Sequence, residues 1–161
     1  MKLIKGKDMF DAVPQDGGKH AICVTTNGII KSSGDLVMGR GAAGEAATRY
    51  PWLPSRAGAA IKAIKGRLFA GFANDYGLAV VDFPDRKDRR FVLVQTKMEW
   101  QKPSPIYLVS SSIDNLRLMA LKEPETTFHL NYPAIGLGGL PFEVVQPMVE
   151  KLPDNVLVYQ K

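Results

Sequence analysis

The chain is poor in the side chains that build metal and redox centres: among 161 residues it has one cysteine, Cys23, and two histidines, His20 and His129. A single thiol excludes an intrachain disulfide, and one cysteine with two histidines cannot complete a Cys/His zinc site. Cys23 lies beside Ile22 and Val24 in an apolar run, the setting of an inert core thiol rather than of a nucleophile. Long hydrophobic runs are also missing. No stretch approaches the ~20 apolar residues that a membrane-spanning helix needs. The opening residues, Met1 to Asp8, lack the apolar centre of a signal peptide. A cytoplasmic location, no membrane association, no metal and no cofactor are therefore expected. Aromatic residues make up only 9% of the chain, and none of the zinc-finger, KH or RRM signatures of nucleic-acid-binding modules is present.

What remains is ordinary for a globular domain. The composition is 45% hydrophobic and 23% charged, with a mean hydropathy of −0.08. One domain spanning residues 1–161, large enough for a proper core, fits these values. The net charge of +5 suits an anionic ligand or nucleic acid. The densest basic cluster, Arg86-Lys87-Asp88-Arg89-Arg90, is broken by an acid and falls between two predicted strands. A solvated hairpin tip is expected there, which leaves nucleic acid a secondary partner.

Strand and helix signals alternate along the chain. Strands are predicted over Lys2–Ile4, His20–Thr25, Arg67–Ala73, Leu78–Phe83, Phe91–Thr96, Thr126–Tyr132 and Val156–Tyr159. Asp8–Ala12 forms a turn or short helix. Helices are predicted over Ala42–Arg49, over Arg56–Lys65 capped by Ser55 and stopped by Gly66, and from Ser104-Pro105 to about Leu121. In the last of these Ile106, Val109, Ile113, Leu116 and Ala120 mark one buried face. Phe142–Lys151 is a helix that Pro147 is expected to bend or interrupt. His20 and His129 fall on or beside strands and read as structural. The pattern implies an α/β fold with a mixed central sheet and helices on both faces.

Two glycine-rich loops each follow a strand. Asn27 to Ala43 runs from a strand to a helix N-terminus, and Pro133 to Leu140 contains Gly136-Leu137-Gly138-Gly139. Backbone N–H groups and a helix dipole at such a turn favour phosphate, although glycine-rich turns also serve as plain connections. In open α/β sheets both loops would meet at the carboxyl ends of the strands, where they could grip a diphosphate from two sides.

In this order the segments Ile4-Lys5-Gly6-Lys7-Asp8-Met9-Phe10, Asn27, Met38-Gly39-Arg40-Gly41-Ala42-Ala43, Gly136-Leu137-Gly138-Gly139-Leu140 and Val158-Tyr159 resemble the macro domain, a three-layer α/β/α fold that binds ADP-ribose. The Met-Gly-x-Gly-x-Ala form is most similar to the branch of terminal ADP-ribose glycohydrolases and DarG-type antitoxins. The resemblance implies a protein that binds ADP-ribose, free or on a macromolecule, and hydrolyses an ADP-ribosyl bond or ADP-ribose 1″-phosphate; a reader without turnover is the alternative. It implies that Asp8 accepts a bond from the adenine amino group and that Asn27 bonds the distal ribose. Met38, Gly39, Arg40, Gly41 and Ala42 would pass the distal ribose and diphosphate, while Gly136, Leu137, Gly138 and Gly139 wrap the diphosphate. Tyr159 would stack on adenine or pack on the core, and support of its own turn before Gly28 is the alternative use of Asn27.

Lys97 would be the catalytic amine that attacks the anomeric carbon, with Asn27 beside it; an exposed lysine after a strand is the alternative. Three departures stand out. Lys7 is inserted between Gly6 and Asp8. The second loop has no acid, leaving Glu143 and Asp35 as substitutes. Ile29–Leu36 lengthens the first loop, as a flap over the distal ribose or as a small hairpin.

Overall fold

The structure is a computed structural model describing residues 1–161. Six strands, β1 (Lys2–Lys5), β2 (Lys19–Thr26), β3 (Leu78–Asp82), β4 (Arg89–Gln95), β5 (Thr126–Asn131) and β6 (Val156–Gln160), form one sheet in the order β1-β6-β5-β2-β4-β3. All neighbours are parallel except β3, which runs antiparallel to β4 at one edge. Five helices, α1 (Met9–Ala12), α2 (Gly41–Arg49), α3 (Leu53–Lys65), α4 (Ile106–Lys122) and α5 (Phe142–Val149), cover it.

Alternation along the strands divides the core in two. Ile22, Val24, Phe91 and Leu93 face Ala43, Ala46, Leu53 and Ile61 of α2 and α3. Ala21, Cys23, Val92, Val94, Phe128 and Leu130 face Val109, Ile113, Leu116 and Val145 of α4 and α5. Strands buried on both faces between helix layers are the rule for parallel sheets, so the expected three-layer mixed architecture is present. Cys23 sits in the second core with no exposure, and burial pushes its thiol up.

Four expectations need correction. The Arg67–Ala73 strand does not form: only isolated bridges, Ile30 to Ala70 and Ile29 to Ala73, occur there. Asn74 shapes the segment instead. Its Nδ2 donates to the carbonyls of Gly28, Phe69 and Phe72, and its Oδ1 accepts from the Phe69 N–H. Second, α3 starts before Ser55, with Trp52 in the cap position and Pro54 in the first turn, where a missing N–H costs nothing. Third, Ile106 is half exposed at the start of α4 and not part of its buried face; α5 contains Pro147 without interruption. Finally, the basic cluster is a hairpin tip only in part: Arg86, Lys87 and Asp88 lie in the turn between β3 and β4, whereas Arg89 and Arg90 belong to the strand. Arg89 belongs to β4, is 3% exposed, and donates to the Gly18 and Pro14 carbonyls. Arg86 pairs with Asp88 at 2.6 Å and Arg90 with Glu123 at 2.7 Å. Of the four basic residues, Arg86, Arg89 and Arg90 have partners within the chain, and Lys87 is exposed without an ion pair.

The lengthened first loop is a small hairpin and not a flap. Lys31 N–H donates to Asp35 O at 2.8 Å, and Val37 N–H to Ile29 O at 2.9 Å. Ile30 and Leu36 are fully buried in the first core. Burying the two side chains contributes roughly 1.5–3 kcal/mol each, which holds the hairpin against α3 and away from the strand ends. Gly58 on α3 makes this contact possible, because a Cβ there would lie 1.8 Å from the Gly34 carbonyl oxygen.

Candidate functional site

A cavity of about 830 Å³ opens at the carboxyl ends of β2, β4, β5 and β6, between the two glycine-rich loops and the starts of α1 and α2. Its size suits a dinucleotide-sized ligand. Its lining includes Asp8, Asn27, Met38, Gly39, Arg40, Gly41, Ala42, Lys97, Gly136, Leu137, Gly138 and Tyr159. Gly139 lies outside it: its N–H closes the turn to Gly136 O at 3.1 Å and has no free hydrogen for a phosphate.

Asn27 organises the first loop. It is 4% exposed. Its Nδ2 donates to Val37 O at 2.7 Å, and its Oδ1 accepts from Ile29 N–H at 2.8 Å. The amide therefore clamps both ends of the hairpin and supports its own turn, while its position on the cavity wall leaves one N–H and one lone pair beyond these bonds. After the hairpin Gly39 and Gly41 take left-handed backbone angles of +62° and +68°. Arg40 stands at the cap of α2 without a side-chain capping bond, so the first N–H groups of that helix are open toward the cavity. This is the arrangement that attracts an anion.

The second loop carries backbone strain. Ala134 holds a φ of +65°, unusual for a residue with a side chain. Its carbonyl accepts from Leu140 N–H at 3.0 Å, and Gly138 O accepts from Ser104 N–H at 2.9 Å. A Cβ on Gly138 would stand 2.5 Å from Ala134 O and 2.6 Å from its Cα. The tight curl of this loop requires glycine at that point.

Asp8 caps α1, accepting from Phe10 N–H at 2.8 Å, and pairs with Lys161 at 3.3 Å. Partial burial would raise its carboxyl, but the Phe10 N–H and Lys161 outweigh that and hold it below the usual range. Lys97 follows β4, and its Nζ donates to Trp100 O at 3.3 Å. Burial alone pulls this amine below the ordinary lysine range. No carboxylate lies within ion-pair distance of Lys97 or Arg40. Glu143 and Asp35 do not line the cavity; Glu45 does, and it pairs with Arg49 at 3.2 Å. Tyr159 is 6% exposed and packs in the first core, with its hydroxyl 2.7 Å from His129 Nδ1.

The cavity also contains groups not singled out from the sequence, notably Phe10, Glu45, Trp100, Asn131 and Tyr132. Asn131 ties the ends of β5 and β2 together, donating to Thr25 Oγ1 and accepting from Thr25 N–H. The Tyr132 hydroxyl is buried without a partner, and burial raises it. Trp100 is 43% exposed at the rim beside Gly39. Position at a strand end was the available signal for Asn131 and Tyr132.

No family model matches the chain, and no curated protein matches it in sequence. Solved structures do match. The macrodomain of Thermus aquaticus DarG aligns with a TM-score of 0.69 and 22% identity, over 99% of this chain and 97% of that one. The chain has the macrodomain fold. The macrodomain of Mycobacterium tuberculosis DarG gives a TM-score of 0.68 at 22% identity, over 99% of this chain and 97% of that one. Thermosipho africanus DarTG in complex with ADP-ribose gives 0.68 at 22% identity, covering 98% of this chain and 41% of that one. Within the macrodomain fold both glycine-rich loops of this chain border the same cavity, and Lys97 stands on its wall.

Proposed function

We propose that this protein binds ADP-ribose and acts as a hydrolase, on ADP-ribosyl groups carried by a macromolecule or on ADP-ribose 1″-phosphate. The observation that carries the binding reading is the single cavity that joins both glycine-rich loops to the open start of α2. The Thermosipho africanus DarTG structure, which has the same fold, was determined in complex with ADP-ribose. In this reading the loop N–H groups and Arg40 hold the diphosphate, and Asn27 and Lys97 meet the distal ribose.

Turnover rests on Lys97. Burial lowers its proton affinity, which raises the fraction present as a nucleophilic neutral amine. The amine would attack the anomeric carbon as the bond to the macromolecule breaks and the leaving group takes up a proton. Water would then cleave the lysine adduct, releasing ADP-ribose and restoring the amine.

A reader without turnover is the second reading, and one observation favours it. The carboxylates on the cavity wall, Asp8 and Glu45, are engaged with Lys161 and Arg49, so no acid stands beside Lys97 to move protons. Incubation with ADP-ribosylated protein, ADP-ribosylated DNA and ADP-ribose 1″-phosphate separates the two. Release of ADP-ribose from any of them supports the hydrolase. Tight binding with no release supports the reader.

A further inference from the structure

Gln95 ends β4 with no exposure to solvent, and every hydrogen-bonding position of its side-chain amide is used. Oε1 accepts from the Tyr76 N–H at 2.8 Å and from the Gly77 N–H at 3.0 Å. Nε2 donates to the Asn74 and Lys97 carbonyls, both at 3.0 Å. This orientation is forced, because the reversed amide would set N–H against N–H and carbonyl against carbonyl. A buried amide is costly unless fully paired. Here the partners lie on the loop before β3 and on the segment after β4 that carries Lys97.

Two routes lead from this amide to the cavity. The first is direct. Lys97 lines the cavity, Gln95 holds its carbonyl, and its own N–H donates to Thr26 O at 3.3 Å. The peptide planes on both sides of the Lys97 Cα are thereby fixed, which sets where the amine leaves the wall. The second route runs through Tyr76, whose N–H Gln95 binds. The Tyr76 hydroxyl donates to the Asn27 carbonyl at 2.7 Å and accepts from Thr26 Oγ1. Burial pushes this phenol up, so the O–H that reaches Asn27 keeps its hydrogen.

Gly28 lies directly on the amide. A Cβ there would stand 2.7 Å from Gln95 Nε2 and 2.2 Å from Asn74 O, so only glycine allows the first loop to rest on it. The Gly28 N–H in turn donates to Met98 O at 3.0 Å. One buried amide therefore joins the segment of Lys97 and the segment of Asn27 into a single hydrogen-bonded unit.

We propose that Gln95, together with Tyr76, is a positioning residue that holds Lys97 and Asn27 in register at the distal ribose. Neither Gln95 nor Tyr76 lines the cavity, so both act through their partners. The role rests on the hydrolase reading above, in which Lys97 attacks the anomeric carbon and Asn27 meets the same sugar. Such an attack depends on placement, and a displacement of about 1 Å can cost roughly 100-fold in rate. Ordinary support of the fold acts differently: it changes how much protein is folded, not the rate of the folded molecule.

Two uncharged substitutions test this. Tyr76→Phe removes one O–H and keeps the ring, while Gln95→Met keeps the length of the side chain and removes all of its amide bonds. Release of ADP-ribose from ADP-ribosylated protein or DNA is followed in steady state, with competent sites counted by ADP-ribose calorimetry. Per competent site, kcat should fall about tenfold in Tyr76→Phe and about 100-fold in Gln95→Met, with KM and ADP-ribose affinity within about threefold of wild type. Wild-type kcat per site in both variants overturns the proposal, and so does a loss confined to KM. If Gln95→Met does not fold, the milder Gln95→Asn, whose amide is one methylene short, takes its place.

A second readout needs no substrate. In protein labelled with carbon-13 lysine, the Cε resonance of Lys97 follows the titration of its amine, which burial holds below the ordinary lysine range. The Gln95 variant should return it toward that range as the amine leaves its place on the wall. A titration identical to that of wild type overturns the proposal. If wild type releases no ADP-ribose from any substrate, the hydrolase reading fails, and the service of Gln95 to turnover fails with it. The lysine titration then still decides whether Gln95 sets the place of the amine.

Discussion

Mild acid should destabilise this protein well before its carboxylates protonate, because His129 is buried as a neutral ring. An unperturbed histidine titrates near 6.5, whereas burial pushes His129 down to about 4. As the pH falls from 6.5 to 4 the unfolded chain binds a proton at this position that the native protein does not. Stability is therefore complete above pH 6.5 and is lost as the pH falls, until the native ring also protonates near 4 and the loss stops. Each pH unit in that window removes about 1.4 kcal/mol, so the whole interval removes about 3 kcal/mol. A typical domain has about 5–15 kcal/mol in total, so the loss is a large share. Asp8, Asp16 and Asp88 are held below the usual carboxylate range, and they act only at still lower pH. Denaturant unfolding of wild type and His129→Gln at fixed ionic strength, from pH 7.5 to 4, gives the comparison. The slope with pH matters, not the absolute stability, which the substitution also changes. The wild-type curve should fall by about 3 kcal/mol more than the variant curve. Parallel curves, or a His129 ring that titrates near 6.5, would refute the reasoning.

Other outcomes follow from the same geometry. Lys97→Ala should abolish release of ADP-ribose from ADP-ribosylated substrates while changing ADP-ribose affinity only a few-fold; unchanged turnover removes the amine from the chemistry. Gly138→Ala forces its Cβ within 2.5 Å of the Ala134 carbonyl oxygen, and the displaced loop should cost ADP-ribose about 10- to 100-fold in calorimetric affinity, or about 1.4–2.8 kcal/mol. Gly58→Ala would drive the hairpin off α3 and should lower unfolding free energy by about 1–3 kcal/mol in denaturant titrations, with little effect on ligand affinity. An unchanged midpoint would show that the hairpin does not rest on the helix as described.

The sheet and helix order was legible because nearly every element carried a local signal. β2 reads as a buried run, and α3 ends at Gly66 with a φ of +81°. Arg67–Ala73 looked like a strand because apolar residues recur there, but four side-chain hydrogen bonds of Asn74 set its shape, and no local pattern reveals such a partner. The hairpin of Ile29–Leu36 was visible as an insertion. Its resting place was not, since the space beside Gly58 exists only once α3 has docked. At the cavity the glycine-rich loops could be found from their spacing. The hydrogen bonds that run from Asp16 through His20 and His129 to Tyr159 could not, because they depend on β2, β5 and β6 lying side by side in one register. Arg89 likewise reads as a surface charge until the Pro14 and Gly18 carbonyls are brought to it.

The central claim is that the cavity between the two loops binds ADP-ribose, and titration calorimetry at physiological ionic strength tests it most directly. One molecule of ADP-ribose per chain should bind, with an affinity that changes little as salt rises, because the contacts are enclosed backbone donors rather than an open basic surface. Absence of binding, or an affinity for ADP-ribose no better than for plain nucleic acid and steeply salt-dependent, would contradict it.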